Sequence, residues 1–201
     1  MNNIDSKQIK AIIFDCFGVL VSDRWLRFRQ KYFANDSNKL TQASSLRRQA
    51  DGGNMNRNEF IRHIANLAGI SEEEVTAEID SSLNTTDQDL LAYIAELKIN
   101  YKIGFLSNAS QNYLSRFFTP KQIELFDKVS ISCETGFVKP DRQSYESIAE
   151  MFDTPIEECL LIDDQLEYCR GAQVAGMQAI QYQGLERLKK DLALFNHQLK
   201  I

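Results

Sequence analysis

The chain has 201 residues, 43% of them apolar and 25% charged, with a net charge of −5. That length suits one α/β domain with room for a modest insertion. No basic block invites nucleic acid, and no apolar run approaches membrane-spanning length. The polar stretch from Met1 to Lys10 lacks the apolar segment of a secretory signal, so a cytoplasmic enzyme or binding protein is expected.

The first element is Ala11-Ile12-Ile13-Phe14, an apolar, β-branched run that reads as a buried strand. It ends on Asp15, and Gly18 three residues later permits a sharp turn. From Leu20 to about residue 101 the strand pattern disappears. Trp25, Phe28 and Tyr32 mark one apolar helical face, and Leu40 to Ala50 is a second, more polar candidate. Asp51-Gly52-Gly53-Asn54 is a turn cluster. Asn56 with Glu59, and Ser71 with Glu74, have the spacing of capping boxes that open two further helices. Residues 21–86 are therefore expected to form an all-helical insertion of four or five short helices.

Beyond Asp87 helices and strands alternate. A helical stripe over Leu90, Leu91, Ile94 and Leu97 precedes a strand from Tyr101 to Leu106. Ser110 to Phe118 reads as helix, Thr119-Pro120 opens a short helical turn, and Val129 to Ser132 reads as strand. Tyr145, Ile148, Ala149 and Phe152 form a helical face; Leu160 to Ile162 is strand, Leu166 to Ala175 helix, and Met177 to Gln181 strand. Leu188, Leu192 and Phe195 stripe a last helix. Strands separated by such helices imply an α/β fold with a doubly wound, parallel, Rossmann-like sheet. Residues 1–20 and 87–201 would form that core, with 21–86 inserted as a helical cap. The four cysteines (Cys16, Cys133, Cys159 and Cys169) show no metal-like or redox spacing and read as reduced thiols.

Chemistry-bearing residues fall at the predicted strand ends. Asp15 ends the first strand, and Ser107-Asn108 the second. Lys139, between Gly136 and Pro140, follows the third, and Asp163-Asp164 ends the fourth. In an open parallel sheet these ends share one edge, where ligands bind. Each also has a plain explanation: a turn or helix cap for the acids and Ser107-Asn108, a solvated charge for Lys139. Two adjacent acids repel, however, unless a cation lies between them.

In order and placement, Asp15, Ser107, Lys139 and Asp163-Asp164 resemble the four motifs of the haloacid dehalogenase-like hydrolase superfamily, over about residues 9–21 and 87–183. The short chain and small helical insertion are most similar to its sugar-phosphate phosphatase branch. The resemblance implies a phosphatase acting on a small phosphorylated metabolite, with Asp15 as nucleophile. It implies Mg2+ held by Asp15, Asp163, Asp164 and the Phe17 carbonyl. Ser107 and Lys139 would contact the phosphoryl group, and Cys16, Phe17, Gly18 and Asn108 would line the substrate site; Arg24 is expected there from its place in the sequence just after the first strand. Trp25, Arg27 and Arg29 lie near the same crevice in sequence. No nucleic acid or membrane partner is implied.

One residue departs from the common phosphatase pattern. Phe17 occupies the place, two residues after the nucleophile, where a second aspartate usually acts as general acid and base. Such help is worth roughly 10²–10⁴-fold. Two rival readings remain: a haloacid dehalogenase, which would use no metal, and a non-catalytic binding protein of the same fold. The acid pair Asp163-Asp164 favours the metal-dependent hydrolase over the first, and the otherwise intact motif set argues against the second.

Overall fold

The computed structural model describes residues 8–79 and 84–198, with side chains through residue 194. The N-terminal segment 1–7, residues 80–83 of the insertion and the Phe195 side chain lie outside the described residues. Five strands, β1 (Ala11–Phe14), β2 (Lys102–Ser107), β3 (Lys128–Ile131), β4 (Cys159–Asp163) and β5 (Gln178–Gln181), form one sheet in the order β3-β2-β1-β4-β5. Every pairing is parallel. The fold is an α/β Rossmann-like sheet with helices on both faces.

β1 is central, and its period-2 alternation divides the core. Ile12 and Phe14 pack with Ile103, Phe105, Leu160 and Ile162 on one face. Ala11 and Ile13 pack with Leu106, Tyr145, Ile148 and Leu161 on the other. The first face is covered by α5 (Gln88–Leu97) and α11 (Leu185–Gln198), the second by α9 (Arg142–Met151) and α10 (Leu166–Ala175). Parity then decides which way the strand ends aim: Asp15 and Asp163 continue the Ile13 and Leu161 side, while Cys16 and Ser107 continue the Phe14 and Phe105 side.

Four helices, α1 (Arg24–Phe33), α2 (Ser37–Asp51), α3 (Arg57–Ala68) and α4 (Glu72–Ile79), lie between β1 and α5. They pack around a separate apolar cluster centred on Phe28, Phe33, Phe60, Ile64 and Val75. Both expected capping boxes form, at Asn56–Glu59 and Ser71–Glu74. Two antiparallel connectors join this unit to the sheet: Ser22 N donates to Thr85 O at 2.9 Å, and Asp87 N to Leu20 O at 2.9 Å. A second attachment lies at the C-terminal end of α2. There Ser132 Oγ donates to Asp51 O at 2.6 Å, and Arg48 pairs with Asp141.

Three stretches depart from the sequence expectation. The helix expected from Ser110 to Phe118 contracts to α6 (Leu114–Phe117), followed by the short α7 (Pro120–Ile123) that Thr119-Pro120 opens. Asn112 Oδ1 accepts from Leu114 N at 3.0 Å and its amide donates to Glu134, so side-chain bonds replace the first helical turn. The α2 helix is longer than Leu40 to Ala50, because Asp36 caps it from Lys39 N. Ser132 belongs to the short helix α8 (Ser132–Thr135) rather than to β3.

Candidate active site

The carboxyl edge of the sheet carries a buried charge cluster. Lys139 is 1% exposed, and its Nζ donates to Asp15 Oδ1 at 2.8 Å and to Asp163 Oδ2 at 2.6 Å. The loop that brings it there is fixed by Asn108, whose Nδ2 donates to Lys139 O and whose Oδ1 accepts from Lys139 N, both at 2.9 Å. Asp163 spends its other oxygen on Gln165 N at 2.9 Å. Asp15, Asp163 and Asp164 offer oxygens that all lie within 4.8 Å of one another.

Electrostatics define what this cluster lacks. Burial pushes the Asp15 carboxyl well above the usual carboxylate range, although Lys139 opposes it. Burial and the neighbouring Asp163 raise Asp164 to about 7. For Lys139 burial works against the charge, but Asp15 and Asp163 outweigh it and hold the ammonium protonated. Three carboxylates against one ammonium leave two formal negative charges in a buried place, which a divalent cation would neutralise. Asp164 Oδ1 is buried with no hydrogen-bond partner. A Cβ on Gly18 would lie 2.5 Å from the Asp164 carboxylate, so only glycine leaves that carboxylate its place. Gly18 also has φ +92°. The donor set is all oxygen and suits a hard cation such as magnesium.

A cavity of about 340 Å³ lies between the sheet edge and the four-helix unit; of the three acids Asp15 lines it and Asp163 and Asp164 do not. Asp15, Phe17, Asn108 and Lys139 line it from the sheet side; Asp23, Arg24, Trp25, Arg29, Arg47, Asp51 and Phe60 line it from the helical side.

Not every expected site residue meets this cavity. Ser107 and Cys16 line a second, small aromatic cavity on the other face of the sheet, and neither lines the main one. Strand parity is the cause. Gly18 N donates to Val21 O at 2.7 Å. Asn108 is a clasp for the Lys139 main chain rather than a free amide. Arg24 lines the cavity, but its Nε is tied to Glu78 O at 2.8 Å; Arg29 and Trp25 also line it, and Arg27 does not. The ring of Phe17 packs edge-on against Tyr113 and Phe117, with centroids 5.9 and 5.8 Å away. Arg47 and Asp51 escaped the sequence reading: Asp51 sits in a glycine-rich turn cluster and looks like ordinary punctuation, yet it is 4% exposed and paired with Arg47 at 2.8 Å. All four cysteines are free; Cys133 is half-buried and the other three are buried.

Residues 9–176 match the haloacid dehalogenase-like hydrolase family. The chain belongs to that family. Among curated proteins, the phosphatase MT3486 of Mycobacterium tuberculosis (strain CDC 1551 / Oshkosh) is 35% identical over 80 residues. That match covers 39% of this chain and 37% of the phosphatase, so the likeness spans well under half of that relative's length. Among solved structures, the magnesium complex of the HAD family enzyme bt-2542 from Bacteroides thetaiotaomicron is similar with a TM-score of 0.67 and 23% identity, covering 88% of this chain and 94% of that one. A HAD-like family hydrolase from Porphyromonas gingivalis is similar with a TM-score of 0.66 and 20% identity, covering 92% and 98%. These structural likenesses place the chain in the HAD fold. The bt-2542 enzyme has also been crystallised with magnesium and inorganic phosphate.

Proposed function

We propose that this HAD hydrolase is a magnesium-dependent phosphatase of a small phosphate monoester, with Asp15 as nucleophile and the helical unit 21–86 as its cap. The observation that carries this reading is the cluster of Asp15, Asp163 and Asp164 around one buried lysine, with Asp15 and Lys139 on the wall of the cavity. Asp15 and Asp163, with Asp164 and the Phe17 carbonyl, would hold the ion. Magnesium there supplies the positive charge that lets an anionic nucleophile approach an anionic ester.

Lys139 holds Asp15 Oδ1 in place, which leaves the other oxygen of Asp15 for attack on phosphorus. That attack forms an aspartyl-phosphate as the bond to the alcohol oxygen breaks. The departing alkoxide takes its proton from water, because Phe17 has none to give. Water then attacks the aspartyl-phosphate, returning the Asp15 carboxylate and inorganic phosphate. Lys139 stabilises charge on the transferred group throughout. Ser107 takes no part in this reading, since its hydroxyl lies on the other face of β2. The dehalogenase alternative leaves Asp164, whose buried Oδ1 has no hydrogen-bond partner, without a task.

The test is phosphate release from a panel of esters by purified protein, with and without magnesium and in the presence of a chelator. Turnover should require magnesium, and Asp15→Asn should lower it by about 10³-fold or more. Turnover that persists in a chelator, or in Asp15→Asn at near wild-type rate, would defeat the assignment.

A further inference from the structure

Lys139 is held by more than its two acids. An ammonium offers three N–H donors, and the bonds to Asp15 Oδ1 and Asp163 Oδ2 use two of them. A third neighbour is aromatic. Lys139 Nζ lies over the face of the Tyr168 ring, 5.0 Å from its centroid, where a cation is drawn to the negative face of the ring. That attraction gains weight where water is excluded, and the Lys139 side chain has no solvent exposure.

The backbone behind this ring is pinned. Tyr168 stands in the first turn of α10, and its main-chain oxygen accepts from the Tyr145 hydroxyl at 2.8 Å. One turn further on, α10 comes so close to the loop after Lys139 that a Cβ on Gly171 would lie 2.7 Å from Pro140 Cβ and 2.8 Å from Tyr145 Oη. The helix that carries the ring and the loop that carries the ammonium are therefore packed as one piece. Tyr168 also lines the main cavity, together with Asp15 and Lys139.

The ring differs from the two acids in one respect: the proposed chemistry leaves it unchanged. When Asp15 attacks phosphorus, its carboxylate becomes part of an acyl phosphate and the negative charge moves out to the phosphoryl oxygens. Lys139 then keeps Asp163 as its one full anionic partner, and that pull alone would draw the ammonium away from Asp15. We infer that Tyr168 is a positioning residue for Lys139, its ring face keeping the ammonium beside Asp15 while the charge there moves to the phosphoryl group. The role in turnover rests on the phosphatase reading; the hold on the ammonium does not.

The experiment uses the full chain with Tyr168→Phe, which keeps the ring face, and Tyr168→Leu, which keeps an apolar side chain without one. Each is made in wild type and in Lys139→Met, whose stem still meets the ring but carries no charge, and all are unfolded in denaturant. Tyr168→Leu should lower the folding equilibrium constant about tenfold more in wild type than in Lys139→Met, whereas the cost of Tyr168→Phe should agree between backgrounds within about twofold. A proton–nitrogen correlation spectrum of the lysine ammonium groups needs no second substitution, and decides the matter should Lys139→Met fail to fold. The Lys139 signal should be shifted upfield by the ring in wild type and in Tyr168→Phe, and should lose that shift in Tyr168→Leu. In phosphate release with magnesium, Tyr168→Leu should lose about tenfold in kcat with KM within about twofold, and Tyr168→Phe should recover it. An equal cost of Tyr168→Leu in both backgrounds, or an unshifted signal in wild type, would overturn the inference, and turnover by wild type would leave the phosphatase reading standing. A Tyr168→Phe variant as slow as Tyr168→Leu would move the role to the hydroxyl and overturn the ring. No release by wild type from any ester, with the coupling and the shift intact, would overturn the phosphatase reading and the role in turnover, and leave the hold on the ammonium.

Discussion

Lys139 is the residue whose removal tests the site most directly. In Lys139→Met the side chain keeps its length and loses its charge, so the apolar stem still fills a fully buried slot. What disappears are the contacts from Nζ to Asp15 at 2.8 Å and to Asp163 at 2.6 Å, leaving two buried carboxylates uncompensated. Breaking a buried pair by removing one partner costs roughly 3–5 kcal/mol. For a chain of this size, about 2–4 °C of melting temperature per kcal/mol gives a fall of roughly 6–20 °C. The deficit depends on pH. Burial already holds the Asp15 carboxyl above its ordinary range, and loss of the ammonium raises it further. A carboxyl raised in the folded state keeps its stability below the unfolded value, near pH 4, and loses it as pH rises through the folded value. The variant should therefore lie closest to wild type at about pH 4 and furthest from it above neutrality. Magnesium, by countering the exposed negative charge, should raise the variant's melting temperature more than that of wild type. Phosphatase turnover should fall by about 10²–10³-fold, as for a lost electrostatic stabiliser. The assays are thermal melts between pH 4 and 8, with and without magnesium, alongside phosphate release. A variant within about 1 kcal/mol of wild type at pH 8 would refute the buried ion triad. A merely twofold change in rate would remove Lys139 from the proposed chemistry.

Gly18→Ala should lower stability by about 1–3 kcal/mol and weaken magnesium binding, since its Cβ would meet the Asp164 carboxylate at 2.5 Å from a left-handed backbone; titration calorimetry that finds unchanged affinity would separate Asp164 from the ion. Phe17→Asp should raise hydrolysis of alkyl phosphates more than of aryl phosphates, because only the former need a proton on the leaving oxygen. The same change forfeits edge-on contacts with Tyr113 and Phe117, each worth about 0.5–1.5 kcal/mol, so melts accompany the kinetics; a uniform change across both ester classes would show that protonation does not limit turnover. In native protein at pH 8, alkylation followed by mass spectrometry should label Cys133 first. Cys159 and Cys169, each pushed up to about 12 by burial, should resist labelling until the protein unfolds, and early labelling of either would contradict their burial.

The sheet, the helical insertion and most of the charge cluster were legible in the residues alone. Alternating strands and helices with buried, β-branched strands admit few architectures, and an acid at the end of β1 must share an edge with acids at the end of β4 when the strands are parallel neighbours. Local capping chemistry was equally legible, because Asn56–Glu59 and Ser71–Glu74 act within one turn of chain. Tertiary structure decided the rest. Whether Lys139 was a surface charge or a buried tie between Asp15 and Asp163 depended on contacts 124 and 24 residues away. Ser107 matched the family motif in sequence, yet its strand parity turned it to the face with Cys16 and away from the main cavity. Asp51 and Arg47 carried no motif at all. They came to line the cavity only because α2 ends against Ser132, which ties together residues that the chain keeps 81 positions apart.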